Sequence, residues 1–267
     1  KLFLQKIKLM ELNKIYNESN LETMANMADG FIDLTVTSPP YDGLRDYNGY
    51  SFPFEDIAKE LFRITKDGGV VVWIVNDATI NGSETLTSFK QAIYFNEVGF
   101  NVHDTMIWRR RTTPQTSNRY EPAFEYMFVL SKGKPKTFNP IKQKPAYEDN
   151  RKKKTYHRKA SDGVHSENEF TRLESVMIDN IWDIPNRNND KLAHNHPAIF
   201  PEKLIKNHIY SWSDKNDIIY DPFMGSGTTA KMAHLQNRNW IGSEISKEYT
   251  ELANKRLKPY LTQTTLF

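Results

Sequence analysis

The chain has 267 residues, with 36 Lys and Arg against 33 Asp and Glu, a formal net charge of +3 and no cysteine. Without cysteine it can form neither disulfides nor thiolate metal sites, which is typical of proteins in a reducing cytosol. No apolar stretch is as long as a membrane-spanning helix, and residues 1–6 are too short and too charged for a secretory signal. We therefore expect a cytoplasmic protein, with either one large α/β domain and an insertion or two small domains.

Apolar runs and helical patterns alternate along most of the chain. The predicted strands cover residues 31–36, 70–75, 100–108, 126–130, 217–221 and 239–244, and the predicted helices cover residues 54–64, 88–98, 203–210, 230–236 and 248–257. We expect Lys66-Asp67-Gly68-Gly69 to stop the first of these helices and the last helix to end before Pro259. The alternation predicts an α/β fold with a mostly parallel sheet and helices on both faces.

The first predicted strand of this series runs into the pentapeptide Thr37-Ser38-Pro39-Pro40-Tyr41. Neither proline can continue a strand, because proline donates no backbone hydrogen bond. The Pro39 carbonyl and the Ser38 hydroxyl can accept two hydrogen bonds beside the aromatic ring of Tyr41. Such a group suits a planar ligand with an exocyclic amino group, although an ordinary turn with surface prolines fits the residues as well.

The pattern breaks between residues 134 and 180, where apolar residues are sparse. Residues 132–159 contain eleven Lys and Arg against two acids, so the rest of the chain is mildly acidic. This basic insert could be a solvated loop or a nucleic-acid contact. The candidate DNA-binding residues are Arg109, Arg110, Arg111, Arg151, Lys152, Lys153, Lys154, Arg158 and Lys159.

A second candidate site follows the strand that ends at Asp221. A strand, the turn Gly225-Ser226-Gly227 and a helix together form the front of a nucleotide-binding crossover, and Glu244 ends the next strand, where an acid can accept bonds from both ribose hydroxyls. No Gly-Lys-Ser/Thr follows, which excludes a Walker loop, so a ribose-bearing cofactor without a pyrophosphate fits better. His194 and His196 lack a third clustered ligand, and we predict no metal site.

Together, the two motifs resemble those of the amino-group DNA methyltransferases that use S-adenosylmethionine. Residues 37–41 are similar to the catalytic Ser/Asp/Asn-Pro-Pro-Tyr motif of the family, and residues 221–229 are similar to its cofactor loop. The catalytic motif, the basic insert and the cofactor loop follow in the order of the circularly permuted β class. Where family members often have Gly-Asp, this chain has Glu18-Ser19, and no role is carried over there.

The resemblance implies a Rossmann-like methyltransferase fold with a catalytic half at residues 1–133, a target-recognition insert at 134–180 and a cofactor-binding half at 181–267. It implies base flipping, with catalytic residues Ser38, Pro39, Pro40 and Tyr41. The implied S-adenosyl-L-methionine site consists of Thr37, His196, Pro197, Phe200, Asp221, Phe223, Gly225, Ser226, Gly227, Thr228, Glu244 and Ile245.

The substrate is expected to be double-stranded DNA. In the family, Ser-Pro-Pro-Tyr is associated mostly with N4 of cytosine and Asp-Pro-Pro-Tyr with N6 of adenine, so cytosine is the first expectation and adenine the alternative. A catalytically silent DNA-binding subunit and an enzyme acting on RNA or on protein amides are the other interpretations. A cognate restriction endonuclease is a further expected partner. Residues Gln263 to Phe267 resemble the peptide with which bacterial proteins bind the sliding clamp, although a frayed tail is the plainer interpretation.

Overall fold

The structure is a computed structural model and describes residues 10–40, 52–110, 118–144, 154–158, 165–169, 175–185 and 200–262. The chain divides into two compact units, one formed by residues 1–139 and 180–267 and the other by Pro140–Asp179. No helix among the described residues is long and apolar enough to cross a membrane.

The six predicted strands and five predicted helices occur in the predicted order, and the described residues form further short elements besides them. The strands are β1 (Lys14–Tyr16), β2 (Ile32–Thr37), β3 (Thr65–Val75), β4 (Thr79–Ile80), β5 (Ser83–Glu84), β6 (Asn101–Arg109), β7 (Phe124–Ser131), β8 (Lys142–Gln143), β9 (Lys154–Arg158), β10 (His165–Glu169), β11 (Val176–Met177), β12 (Ile181–Asp183), β13 (Ile218–Asp221) and β14 (Asn239–Ser243). The helices are α1 (Asn20–Ala25), α2 (Phe54–Ile64), α3 (Thr87–Val98), α4 (Glu202–Trp212), α5 (Thr228–Leu235) and α6 (Lys247–Leu261).

Eight strands of the first unit form one sheet in the order β1-β14-β13-β2-β3-β7-β6-β12. All neighbours are parallel except β7, which is antiparallel to both β3 and β6. The sheet is therefore mixed and mostly parallel, and the predicted α/β class is confirmed. Strands β2 and β13 are neighbours although about two thirds of the chain separates them, so the order along the chain reverses between them.

The sheet is covered by helices on both faces, and the burial of β3 is evidence of this. Its run of apolar residues is buried throughout, as expected for a strand with both faces covered. Val71, Trp73 and Val75 pack in one cluster with α2 and α3, and the period of two turns the residues between them to the other face.

Two predicted boundaries are wrong, because contacts between distant residues decide them. Gly68 and Gly69 do not stop α2, which ends at Ile64; they lie inside β3, next to an irregularity in its pairing with β2. Helix α6 does not end before Pro259 but continues to Leu261. Tyr260 anchors this last turn, because its carbonyl lies 3.1 Å from His234 Nε2 and the Lys231 ammonium lies 4.5 Å from the centre of its ring.

The second unit contains two short antiparallel pairs, β9 with β10 and β8 with β11. Lys154 and Arg158 are the first and last residues of β9. Part of the basic insert thus has regular backbone pairing.

Candidate active site

The carboxyl ends of β2 and β13 lie side by side in the sheet. The two strands pair in parallel, with Thr35 opposite Tyr220, so both leave the sheet at the same edge. Thr37 ends β2 and Asp221 ends β13, and the Thr37 hydroxyl donates a hydrogen bond of 2.7 Å to Asp221 Oδ1. This bond joins the two motifs that the sequence singles out.

Asp221 is the anchor of the loop that follows it. Its side chain is buried, and besides Thr37 it accepts hydrogen bonds from the Thr229 hydroxyl, at 2.6 Å, and from the Phe223 amide, at 3.0 Å. Burial raises the pKa of the Asp221 carboxyl, while the three hydrogen bonds favour its charged form and oppose the rise. With three donors on a buried carboxyl, Asp221 fixes the shape of the loop.

The backbone amides of the loop between Asp221 and α5 hold it against the end of β14. The Met224 amide donates to the Ser243 carbonyl over 2.9 Å, and the Gly225 amide donates to Glu244 Oε2 over 2.8 Å. Gly227 precedes α5 with φ at +81°, a conformation that favours glycine. The loop therefore delivers the N-terminus of α5, with its backbone amides, to the same edge of the sheet as Thr37.

Glu244 follows β14 and faces this loop. Its Oε2 accepts from the Gly225 amide, and its Oε1 accepts from the Ser246 amide over 2.8 Å. Burial raises the pKa of Glu244, and the two amides oppose the rise. A carboxylate has about four acceptor positions, so a carboxylate held in place by two amides can still accept from two vicinal hydroxyls.

Two asparagines that the sequence analysis missed support this part of the site. Asn17 Nδ2 donates to the carbonyls of Glu244, at 2.8 Å, and Ile245, at 3.1 Å. Asn20 Nδ2 donates to the Pro222 carbonyl over 3.3 Å. Only a short polar run after β1 marks them in the sequence. Asn17 thus holds the backbone on which Ile245, 43% exposed, presents an apolar side chain beside Glu244, and Asn20 holds the loop after Asp221.

The Ser-Pro-Pro-Tyr motif continues directly from Thr37. Thr37 and Pro39 are buried, whereas Ser38 and Pro40 are partly exposed. The structure therefore brings the Ser38 and Pro39 acceptors to the strand end that is bonded to Asp221. Tyr41 lies outside the described residues.

Phe223 packs against aromatic residues of the first half of the chain. Its ring centre lies 5.8 Å from that of Phe52 and 6.3 Å from that of Trp73.

Asp77, after β3, accepts from the amide of Ser88 over 2.9 Å and from its hydroxyl over 2.6 Å, and so holds the beginning of α3.

The candidate DNA-binding residues differ in their exposure and in their hydrogen-bond partners. Arg109 is exposed, whereas Arg110 is mostly buried, pairs with Glu125 over 3.1 Å and donates to the Pro122 carbonyl over 2.9 Å. Phe200 is partly buried just before α4. The remaining predicted site residues outside the described part are Arg111, Arg151, Lys152, Lys153, Lys159, His196 and Pro197.

Within the described ranges, no group of three or more His, Asp or Glu side chains is placed to hold a metal ion.

Comparison with known proteins identifies the family. A family model described as DNA methylase, N6_N4_Mtase, matches residues 32–255, so the chain belongs to this family of amino-group DNA methyltransferases. The orphan methyltransferase M.BamHII of Bacillus amyloliquefaciens is 55% identical over 245 residues, which cover 88% of this chain and 92% of that protein.

Two solved structures share the fold. The PvuII DNA methyltransferase (cytosine-N4-specific) superposes with a TM-score of 0.70 at 22% identity, over 91% of this chain and 85% of that one. The M1.HpyAVI–SAM complex gives a TM-score of 0.58 at 24% identity, over 91% of this chain and 99% of that one. The chain is thus an S-adenosylmethionine-dependent DNA methyltransferase of the β class with a Rossmann-like fold, as the motifs predict.

Gly227 yields a stability prediction, because a side chain there would meet α6. A Cβ atom at Gly227 would lie 3.0 Å from the Cβ of Ala253, in addition to the strain of φ at +81°. Gly82 has φ at +82° but no atom within 4 Å of such a Cβ, so a substitution there measures the cost of the backbone conformation without any contact. We expect Gly227→Ala to lower the free energy of unfolding by about 2–4 kcal/mol and Gly82→Ala by about 1 kcal/mol, measured by urea denaturation. Equal destabilisation by the two substitutions would show that α6 does not press on the loop.

Proposed function

We propose that the protein transfers a methyl group from S-adenosylmethionine to the exocyclic N4 of cytosine at specific sites in duplex DNA, after the base has swung out of the helix. The observation that carries the proposal is the hydrogen bond between Thr37 and Asp221, because it holds the Ser38-Pro39 acceptors beside the loop expected to take the cofactor. Transfer needs this proximity, since the amino nitrogen and the methyl group must meet in line.

The residues around the loop fit the cofactor. Glu244, already oriented by two amides, would accept bonds from the ribose hydroxyls, and Ile245 would lie against the adenine. The backbone at Gly225 to Thr228 would border the cofactor, with Thr37, Asp221 and Phe223 shaping the wall. By resemblance, His196, Pro197 and Phe200 would hold the methionine end.

The acceptor side needs only two oxygens and a ring. The bound cofactor supplies a methyl group on a positively charged sulfur. The Ser38 hydroxyl oxygen and the Pro39 carbonyl would accept the two N–H bonds of the target amino group, and Tyr41 would stack on the base. These bonds would draw the nitrogen lone pair out of conjugation with the ring and aim it at the methyl group, and the proton would be lost during or after transfer. Alignment is then the main contribution of the protein.

The target base is the finer part of the proposal. Cytosine is supported by the Ser-Pro-Pro-Tyr form of the motif, which in the family is associated mostly with N4 of cytosine. Adenine is the alternative, because both bases offer an amino group next to a ring nitrogen. A cognate restriction endonuclease stays an expected partner.

Mass spectrometry of nucleosides tests this proposal. DNA incubated with the protein and S-adenosylmethionine should contain N4-methylcytosine. Ser38→Ala should lower the rate by about tenfold or more while S-adenosylhomocysteine still binds, since it removes one acceptor of the amino group and leaves the loop intact. Ser83→Ala, which changes an exposed serine of β5, should keep the rate of the wild type.

Each other result would contradict part of the proposal. N6-methyladenine in place of N4-methylcytosine would overturn the base and keep the mechanism. No methylated nucleoside on varied DNA, with the cofactor bound, would direct attention to RNA or protein. A Ser38→Ala variant as fast as the wild type would remove the role of Ser38.

We further propose that the basic insert, residues 134–180, binds DNA phosphates. Its Lys and Arg content supports this. Outside the insert, Arg109 is exposed and could contact a phosphate, whereas Arg110 is engaged with Glu125. Replacing Arg151, Lys152, Lys153 and Lys154 by Gln should weaken DNA binding and make its salt slope shallower by about 0.9 for each phosphate that is no longer neutralised, with cofactor affinity unchanged. An unchanged salt slope would rule these residues out.

The clamp contact of Gln263 to Phe267 stays a prediction, because these residues lie outside the described part of the chain.

A further inference from the structure

Arg256 of α6 is buried behind the cofactor loop. Its side chain is 0% exposed, although it has a permanent positive charge. A guanidinium buried without partners would be strongly destabilising, so its hydrogen bonds indicate what holds it there.

The guanidinium connects two parts of the site. Its Nη1 donates to the Ser226 carbonyl over 3.0 Å and to the Thr228 hydroxyl over 2.8 Å, with the Ser226 hydroxyl at 3.3 Å. Its Nη2 donates to Glu202 Oε1 over 2.8 Å. Glu202 is the first residue of α4 and comes two residues after Phe200. One planar group thus ties the cofactor loop to the beginning of α4.

Packing shows independently that α6 lies against the back of the loop. Gly227 lies between Ser226 and Thr228, and a Cβ there would press on Ala253, which is one turn before Arg256 on α6. Helix α6 therefore contacts the back of the loop at two points. Ala253 packs against Gly227, which has no side chain, and the Arg256 guanidinium bonds Ser226 and Thr228. The hydroxyls of Ser226 and Thr228 both face α6, where they lie within hydrogen-bond distance of the guanidinium.

We propose that Arg256 is a positioning residue for S-adenosylmethionine. By fixing the Ser226 carbonyl, the Thr228 hydroxyl and Glu202, it sets the distance between the loop and the segment that enters α4. The inference rests on the cofactor site proposed above. Arg256 acts through these residues and does not touch the cofactor.

Lys231 provides the control for a purely structural role. It is buried to a similar degree, at 5% exposure of its side chain, and its ammonium also bonds Glu202 Oε1 over 2.8 Å. The bonds to the Ser226 carbonyl and the Thr228 hydroxyl come from Arg256. Removing either cation breaks a buried ion pair on Glu202, and removing Arg256 also releases the loop.

The test is the equilibrium binding of S-adenosylhomocysteine by calorimetry, with melting temperatures measured in parallel. We expect Arg256→Met to weaken binding by about tenfold or more, because it removes charge-assisted hydrogen bonds to the loop. Arg256→Lys should fall between Arg256→Met and the wild type, since one ammonium cannot reproduce the fork. Lys231→Met should bind within about twofold of the wild type while its melting temperature falls.

The outcomes separate the two proposals. Equal weakening by Arg256→Met and Lys231→Met, or a lower melting temperature for Arg256→Met with unchanged affinity, would overturn the positioning role. If Arg256→Met does not fold, Thr228→Val removes one of its bonds to the loop, and unchanged affinity there would also overturn it. A wild type that binds neither S-adenosylmethionine nor S-adenosylhomocysteine would instead refute the proposed cofactor site.

Discussion

The hydrogen bond between the Thr37 hydroxyl and Asp221 is the constraint on which the site depends. It joins the ends of two strands that belong to distant parts of the chain and that become neighbours only in the sheet. Because the carboxyl of Asp221 also holds Phe223 and Thr229, one buried group sets both where Ser38 and Pro39 leave the sheet and how the loop after Asp221 turns. In the proposed mechanism the two bound molecules must be aligned, and a shared anchor would hold that alignment, since errors in it reduce the rate steeply.

The rest of the site is built from supports around this anchor. In front, Glu244 is oriented by backbone amides, and Asn17 holds the carbonyls of Glu244 and Ile245. Behind, α6 approaches the loop so closely that only glycine fits at position 227, and Arg256 satisfies the loop from the same side. The glycines of the loop therefore have two uses. The sequence suggests close approach of a ligand, and the structure adds close approach of a helix.

Local chemistry predicted much of this arrangement. The apolar run of β3, the two prolines after Ser38 and the glycine turn after Asp221 are each visible in a few adjacent residues, so the α/β class and both motifs could be found from the sequence. Contacts between distant residues could not. The residues around Arg256 do not indicate that its partner is Glu202. Likewise, the sequence does not distinguish Arg110 from its two neighbouring arginines, and only the structure pairs it with Glu125. The reversed direction of β7 and the continuation of α6 past Pro259 likewise depend on tertiary packing.

The measurement that tests the central claim most directly is the single-turnover rate of methyl transfer, with cofactor and DNA both saturating, for Thr37→Val and Thr37→Ser. Valine keeps the shape of the buried side chain and removes the donor to Asp221, whereas serine keeps the donor. The anchoring role predicts a rate about 10–100-fold lower for Thr37→Val, because the two strand ends are no longer joined, and a rate within about threefold of the wild type for Thr37→Ser. A Thr37→Val protein that transfers the methyl group as fast as the wild type would contradict it.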